Sequence, residues 1–154
     1  MSETHMSMPL DSDGFLRREC PTCEREFKWF SSPDGEGATP EAGGCFCPYC
    51  GIQAPTNSFF TAAQIELAKN VVLRDLVGPE LEKVGNSLRR NKRPGDLVSI
   101  EFGATVPPKM DPLVETDDMR RVDFECHPSE PVKVLETWDR DVHCLVCGAP
   151  AARR

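Results

Sequence analysis

Cys20-Pro21-Thr22-Cys23, followed after 23 intervening residues by Cys47-Pro48-Tyr49-Cys50-Gly51, decides how this chain is read. Two residues between cysteines let a tight turn point both sulfurs to one side, and two such turns bring four thiolates onto one tetrahedral ion. The remaining cysteines are Cys45, Cys126, Cys144 and Cys147, so six of the eight fall in Cys-x-x-Cys pairs. The N-terminus carries Glu3, Asp11 and Asp13 where a secretion signal places basic and then apolar residues. Paired cysteines in such a chain read as metal knuckles, not as a disulfide framework. A reducing, cytoplasmic setting is the expectation.

The two knuckles resemble those of the zinc ribbon superfamily, which often read Cys-Pro-x-Cys-Gly as Cys47 to Gly51 does. The resemblance covers 31 of the 154 residues, Cys20 to Cys50, and implies a Zn2+ ion held by Cys20, Cys23, Cys47 and Cys50 between short antiparallel strands. Glu24 stands where the first knuckle would carry glycine, which predicts a looser turn there. Iron in a rubredoxin-like site is the alternative, since four tetrahedral thiolates suit either metal.

A second zinc site is expected from Cys126, Cys144 and Cys147, with 17 residues between Cys126 and Cys144. Three ligands are evident and the fourth is open. His127 is the simplest choice, because sites with three cysteines and one histidine are common and the chain can turn at Pro128. His143 and Cys45 are the alternatives. Cys45 lies two residues before Cys47, so on a strand both sulfurs face one side, although a small buried apolar role is the preferred reading of it. Two zinc ions per chain are therefore expected, and they would contribute to folding directly. That suits a chain with only 39% hydrophobic residues and 14 prolines, too few apolar groups for one large core.

Around these sites the periodicity predicts a small α+β fold: zinc ribbons with short antiparallel sheets, plus a central helical hairpin or kinked helix. Residues 1–14 are polar and read as a disordered tail. Residues 15–57 form the N-terminal ribbon, 58–95 a helical segment, and 96–154 a C-terminal β unit with the second, ribbon-like site. Strands are expected at Phe15 to Arg18, Glu26 to Phe30, Gly44 to Tyr49, Leu97 to Ala104, Arg121 to Glu125, Val132 to Thr137 and His143 to Val146. Val106 to Asp118, with three prolines and several acids, reads as loop. Thr61 and Gln64 match a capping box at the helix start. Ile65, Ala68, Val72 and Leu76, then Leu81, Val84 and Leu88 after Gly78-Pro79, recur at helical spacing and predict core stripes.

Enzyme readings are weak. Cys47-Pro48-Tyr49-Cys50 is also the active-site tetrapeptide of glutaredoxins, and Thr105-Val106-Pro107 resembles their cis-proline segment. A thiol oxidoreductase, however, needs Cys47 at a helix N-terminus, and here Gly51 and Pro55 follow. A zinc hydrolase needs an open ligand position beside a base such as Glu125 or Glu130, and the deaminase pairing is absent because Ser129 stands two residues after His127. No catalytic residue is expected.

A binding role remains, and charge bears on the partner. Residues 1–60 carry 4 basic and 9 acidic side chains, residues 61–95 carry 7 and 4, and residues 96–154 carry 7 and 12. Acidic knuckles repel phosphate, so a protein partner is expected, with Trp138 as an exposed anchor. Nucleic acid is the alternative, through Arg89, Arg90, Lys92 and Arg93, with Arg17, Arg18 and Lys28 assisting and Trp29, Phe30 or Tyr49 stacking on bases. The helical region can equally serve a homo-oligomer. No apolar run is long enough to span a membrane.

Overall fold

Residues on either side of the first knuckle alternate apolar and polar, and they pair with each other. In the computed structural model, which describes residues 6–31, 43–91, 94–95 and 106–151, β1 (Phe15–Glu19) and β2 (Glu26–Phe30) form an antiparallel hairpin running from Phe15↔Phe30 to Glu19↔Glu26. The Cys20–Cys23 knuckle is its turn. A second, shorter ribbon pairs β3 (Cys45–Phe46) with β4 (Gln53–Ala54) and carries the Cys47–Cys50 knuckle. The expected Gly44 to Tyr49 strand is thus cut to two residues, because the chain turns at Cys47 to deliver its sulfur.

β5 (Met119–Val122) and β6 (Val132–Leu135) pair antiparallel, and β6 also pairs with β2 through Lys28↔Lys133 and Trp29↔Val132. The result is one four-stranded sheet in the order β1-β2-β6-β5. The cysteine-bearing ends of the chain therefore share a sheet. Two strand expectations shift: the run at Arg121 to Glu125 pairs two residues earlier, and His143 to Val146 is a knuckle whose ladder contact among the described residues is the single bridge His143↔Pro150. The expected strand at Leu97 to Ala104 lies outside the described residues. Residues 106–118 have no regular structure, as expected.

One face of this sheet carries the apolar core. Phe27 meets Phe59, Tyr49 and Trp29 edge to face, with ring centroids 5.8, 6.5 and 6.2 Å apart, and Val132, Val134, Phe124, Val142 and Leu145 complete the cluster with Cys20, Cys47 and Cys144. Tyr49 ties the short ribbon to the sheet: its hydroxyl donates to the Glu26 carbonyl at 2.8 Å and accepts from the Leu135 N–H at 3.0 Å. It is buried, so it is no platform for bases.

The opposite face has a different character. Arg17, Lys28, Lys133 and Arg121 are successive partners in the strand register, so four cations form one row across all four strands. Acids cover them. Lys133 Nζ bonds Asp11, Asp13 and Asp117 at 2.9, 2.7 and 2.7 Å. Lys28 pairs with Asp11, Glu115 and Asp118, and Arg17 with Glu26, Glu115 and Asp118. Lys28 and Lys133 are fully buried, a state cationic side chains reach only when paired. Residues 8–14, expected in a tail, instead belong to this covering layer, with Asp11 buried between the two lysines.

Residues 8–62 and 113–154 make up this compact unit, and residues 63–112 belong to a second. The second contains α1 (Ala62–Val71) beyond its first residue, and α2 (Gly78–Arg90), joined by a π turn over Val72–Val77. Val71, Val77 and Gly78 are all right-handed, so the run is one continuous helix and not a hairpin. Pro79 explains the wide turn. Proline lacks an N–H and its ring collides with the carbonyl four residues back, whereas a widened turn opens that space. Accordingly the Gly78 N–H donates five residues back, to Leu73.

The helix overturns the expectation of core stripes. Ile65, Val72, Leu73, Leu76, Val77, Val84 and Leu88 are 36–49% exposed, whereas Gln64, Leu67, Asn70 and Gly78 are buried. Asn70 Nδ2 donates to the Pro108 carbonyl at 2.9 Å, and the missing Cβ of Gly78 leaves room for Val106. The spacing marks a helix, but its apolar side faces outward.

Candidate metal centres

Three of the knuckles are built by one local rule. The first cysteine's carbonyl accepts from the N–H four residues on: Glu24 to Cys20 at 2.9 Å, Gly51 to Cys47 at 2.9 Å, and Gly148 to Cys144 at 2.8 Å. Closing that loop forces the donor residue into the left-handed region, with φ of 55° at Glu24, 69° at Gly51 and 72° at Gly148. Glycine adopts this freely and glutamate does not. Glu24 therefore does not loosen the first turn, contrary to expectation; it holds the same geometry under strain. Inside the turns, backbone N–H groups of Thr22 and Cys23 point at Cys20 Sγ (3.3 and 3.4 Å), and that of Tyr49 at Cys47 Sγ (3.4 Å).

The sheet then brings the turns together. The sulfurs of Cys20, Cys23, Cys47 and Cys50 all lie within 4.8 Å of one another, with Cys20 to Cys50 and Cys23 to Cys47 each 3.8 Å apart. A tetrahedron with zinc–sulfur bonds of about 2.3 Å has edges of about 3.8 Å. The donor set and its spacing thus fit Zn2+. Burial raises Cys47 above the ordinary thiol range and takes Cys23 to about 11, the neighbouring Cys20 adding to the rise. Cys20 moves down despite its burial, because the Cys23 and Thr22 N–H groups favour its thiolate. A divalent cation is what allows all four to ionise together.

The second cluster holds Cys126, His127, Cys144 and Cys147, again with ligand atoms within 4.8 Å. Cys144 Sγ lies 3.5 Å from His127 Nδ1, close to the edge expected for one sulfur and one nitrogen ligand, and Cys147 Sγ lies 3.5 Å from Cys126 Sγ. Cys126 and Cys147 are exposed and Cys144 is buried, so this centre sits nearer the surface than the first. Burial and the Cys147 thiol raise Cys126 to about 11. The two centres are directly braced: Phe46 N–H donates to Leu145 O at 2.8 Å, and His143 N–H to Pro48 O at 2.9 Å. His143 packs its ring over Gly51, outside the cluster.

Cys45 joins neither group. It is buried, its sulfur lies 3.6 Å from Thr56 Oγ1, and burial raises its pKa. The two four-donor clusters are geometrically compatible with two Zn2+ ions in ribbon-like sites. Four protein donors at each centre make the closed arrangement of structural zinc, without the open position that zinc catalysis requires. The redox alternative fails on placement: Cys47 lies in a β-ribbon turn against Cys20 and Cys23, and the helix begins only at Ala62.

The remaining candidates separate. Arg89 and Arg90 are exposed at the end of α2, while Lys92 and Arg93 lie outside the described residues. Trp138 is half-buried, its ring 4.8 Å from that of Tyr49 and its Nε1–H donating to the Asp141 carbonyl at 3.2 Å, so it belongs to the core as much as to the surface. Arg25 and Arg140 lie over it, at 5.1 and 5.7 Å. Arg18 is buried between Trp29 and Phe60, 4.2 and 4.7 Å from their centroids, and burial lowers its pKa to about 10. Sequence reasoning missed two things here: the cation row, and a cleft of 1160 Å³ between residues 120–128, 138–142 and 149–151, beside the second cluster. Alternation along β2 and β6 places Lys28 and Lys133 on one face, but only the register shows that they are neighbours.

No helix among the described residues is long and apolar enough to cross a membrane. No protein-family model, curated protein or solved structure matches the chain significantly. The zinc-ribbon-like character of this small α+β protein therefore rests on the geometry of its two Cys/His clusters.

Proposed function

We propose that this chain is a non-catalytic, zinc-stabilised adaptor that binds another protein. In this reading Cys20, Cys23, Cys47 and Cys50 hold one Zn2+, and Cys126, His127, Cys144 and Cys147 hold a second. Each ion fixes two turns, and the shared sheet makes the pair a stiff platform. Thiolate ligands suit a reducing compartment such as the cytoplasm.

The observation that carries the choice of a protein partner is the fate of the cations. Arg17 and Lys28 are engaged by Asp11, Glu26, Glu115 and Asp118, and Arg18 is stacked inside. These are the side chains that a nucleic-acid surface on the first knuckle would need. The cleft beside the second centre instead mixes Arg120, Arg121 and Arg140 with Asp123, Glu125, Asp139 and Asp141, and runs past β5, an edge of the sheet. Mixed charge beside a sheet edge suits a polypeptide, which can pair its backbone and match both signs.

The test is affinity capture of the zinc-loaded chain with and without nuclease, alongside the exposed-charge variants Asp139→Lys and Arg140→Glu. The reading predicts a protein retained after nuclease and released by those variants. Loss of the captured material on nuclease treatment, with steeply salt-dependent oligonucleotide binding that Arg89→Glu/Arg90→Glu abolishes, would replace it with the nucleic-acid reading.

A further inference from the structure

We propose that the outward face of the helix from Ile65 to Leu88 is the contact surface for a second copy of this chain, paired antiparallel about a two-fold axis. This goes beyond the adaptor reading and does not depend on it.

The π turn creates the face. An α-helix advances about 100° per residue, so by phase alone Val77, Val84 and Leu88 would lie more than a quarter turn from Ile65, Val72 and Leu76. The wider turn over Val72–Val77 holds one extra residue and takes back about 100° of that offset. The two stripes then run as one, over a length of about 35 Å. Polar and small residues, Gln64, Asn70 and Gly78, take the buried side together with Leu67. A helix that buries its polar side and displays its apolar one leaves that face without a partner among the described residues.

That partner is argued to be a second copy on two grounds. The stripe is symmetric at its centre and its ends: Leu76 and Val77 flank the midpoint, and Ile65 and Leu88 each lie 11 residues from the nearer of them. Two-fold antiparallel pairing therefore sets Leu76 against Val77, Val72 against Leu81 and Ile65 against Leu88, apolar on apolar at the centre, at both ends and once between them in each half. The same register places Lys69 near the partner's Val84 and Glu80 near the partner's Leu73, so no like charges meet. The second ground is area. Seven side chains left 36–49% exposed leave on the order of 500 Å² per copy. Two copies with their flanks bury about 1,100 Å² in total, near the lower end for specific interfaces, which predicts association in the micromolar range.

The experiment is sedimentation velocity on the zinc-loaded full chain, from about 1 to about 200 µM. The proposal predicts a mass moving from 17.1 kDa toward twice that value. Leu76→Glu/Val77→Glu places four carboxylates at the axis and should leave a monomer throughout, with zinc content unchanged. Asn86→Glu, on the opposite side of α2, should associate as the parent does. If the double variant loses helical circular dichroism, Leu88→Lys at the end of the stripe gives the same reading. A parent chain that stays monomeric across the range overturns the proposal, including the case where the face binds lipid vesicles or a different protein. Association unaffected by both stripe variants also overturns it.

Discussion

Replacing Glu24 by glycine should strengthen the first zinc site. Glu24 holds φ of 55° so that its N–H can reach the Cys20 carbonyl, and left-handed backbone costs a residue with a Cβ about 1–2 kcal/mol. Its carboxylate is exposed and makes no hydrogen bond or ion pair among the described residues, so removing the side chain gives up no contact. Against the relieved strain stands the greater freedom of glycine in the unfolded chain, about 0.5–1 kcal/mol. The net gain is about 0.5–1 kcal/mol. For a chain of this length that is a rise of about 1–4 °C in Tm, or roughly a two- to five-fold tighter hold on zinc. Differential scanning fluorimetry of the zinc-loaded protein, with chelator competition read by a chromogenic zinc dye, measures both. An unchanged or lowered Tm in Glu24→Gly would refute the argument that all three knuckles share one left-handed turn, strained at Glu24 alone.

Three further outcomes follow from the same geometry. Gly148→Ala should weaken the second centre selectively, because φ is 72° there and the added Cβ would lie 2.8 Å from Phe46 Cδ1; chelator should then strip one zinc early and the other at the parental rate. Cys47→Ser should lose zinc and unfold the sheet, whereas Cys45→Ala should keep both ions and cost about 1–2 kcal/mol by chemical denaturation. Lys133→Met should cost about 1–3 kcal/mol, since it takes one of two buried lysines from Asp11 and leaves Lys28 and the Phe15 N–H. Asp11 also has a pH signature. Burial would raise its pKa, but Lys133, the Phe15 N–H and Lys28 outweigh that and hold it at about 2, below 3.8. Its contribution of roughly 2 kcal/mol is thus present above pH 3.8 and lost as pH falls toward 2, so Asp11→Asn should flatten the acid limb of a urea-stability profile.

The cysteine spacings were the most legible part of the fold, because a tetrahedral ion dictates both the local turn and the convergence of two turns. Thr61 marked the helix start for a similarly local reason. Strand ends were less legible: a knuckle terminates a strand wherever its sulfur must turn inward, which shortened the Gly44 to Tyr49 run and removed the one at His143. Periodicity found the helix but could not say which side faces out, since Ile65 and Leu76 read alike whether the partner is internal or external. Nor did Lys28, Lys133 and the acids of residues 11–13 and 115–118 announce their burial. Each looks solvated alone, and only long-range strand pairing makes them one network.

The central claim is that two metal ions hold this fold, and metal content per chain tests it most directly. Elemental analysis of protein purified without added metal, normalised to protein concentration, should give two zinc ions per chain. One zinc would dismantle the second centre at Cys126, His127, Cys144 and Cys147, and iron, or a metal-free folded chain with reactive thiols, would contradict the account as a whole.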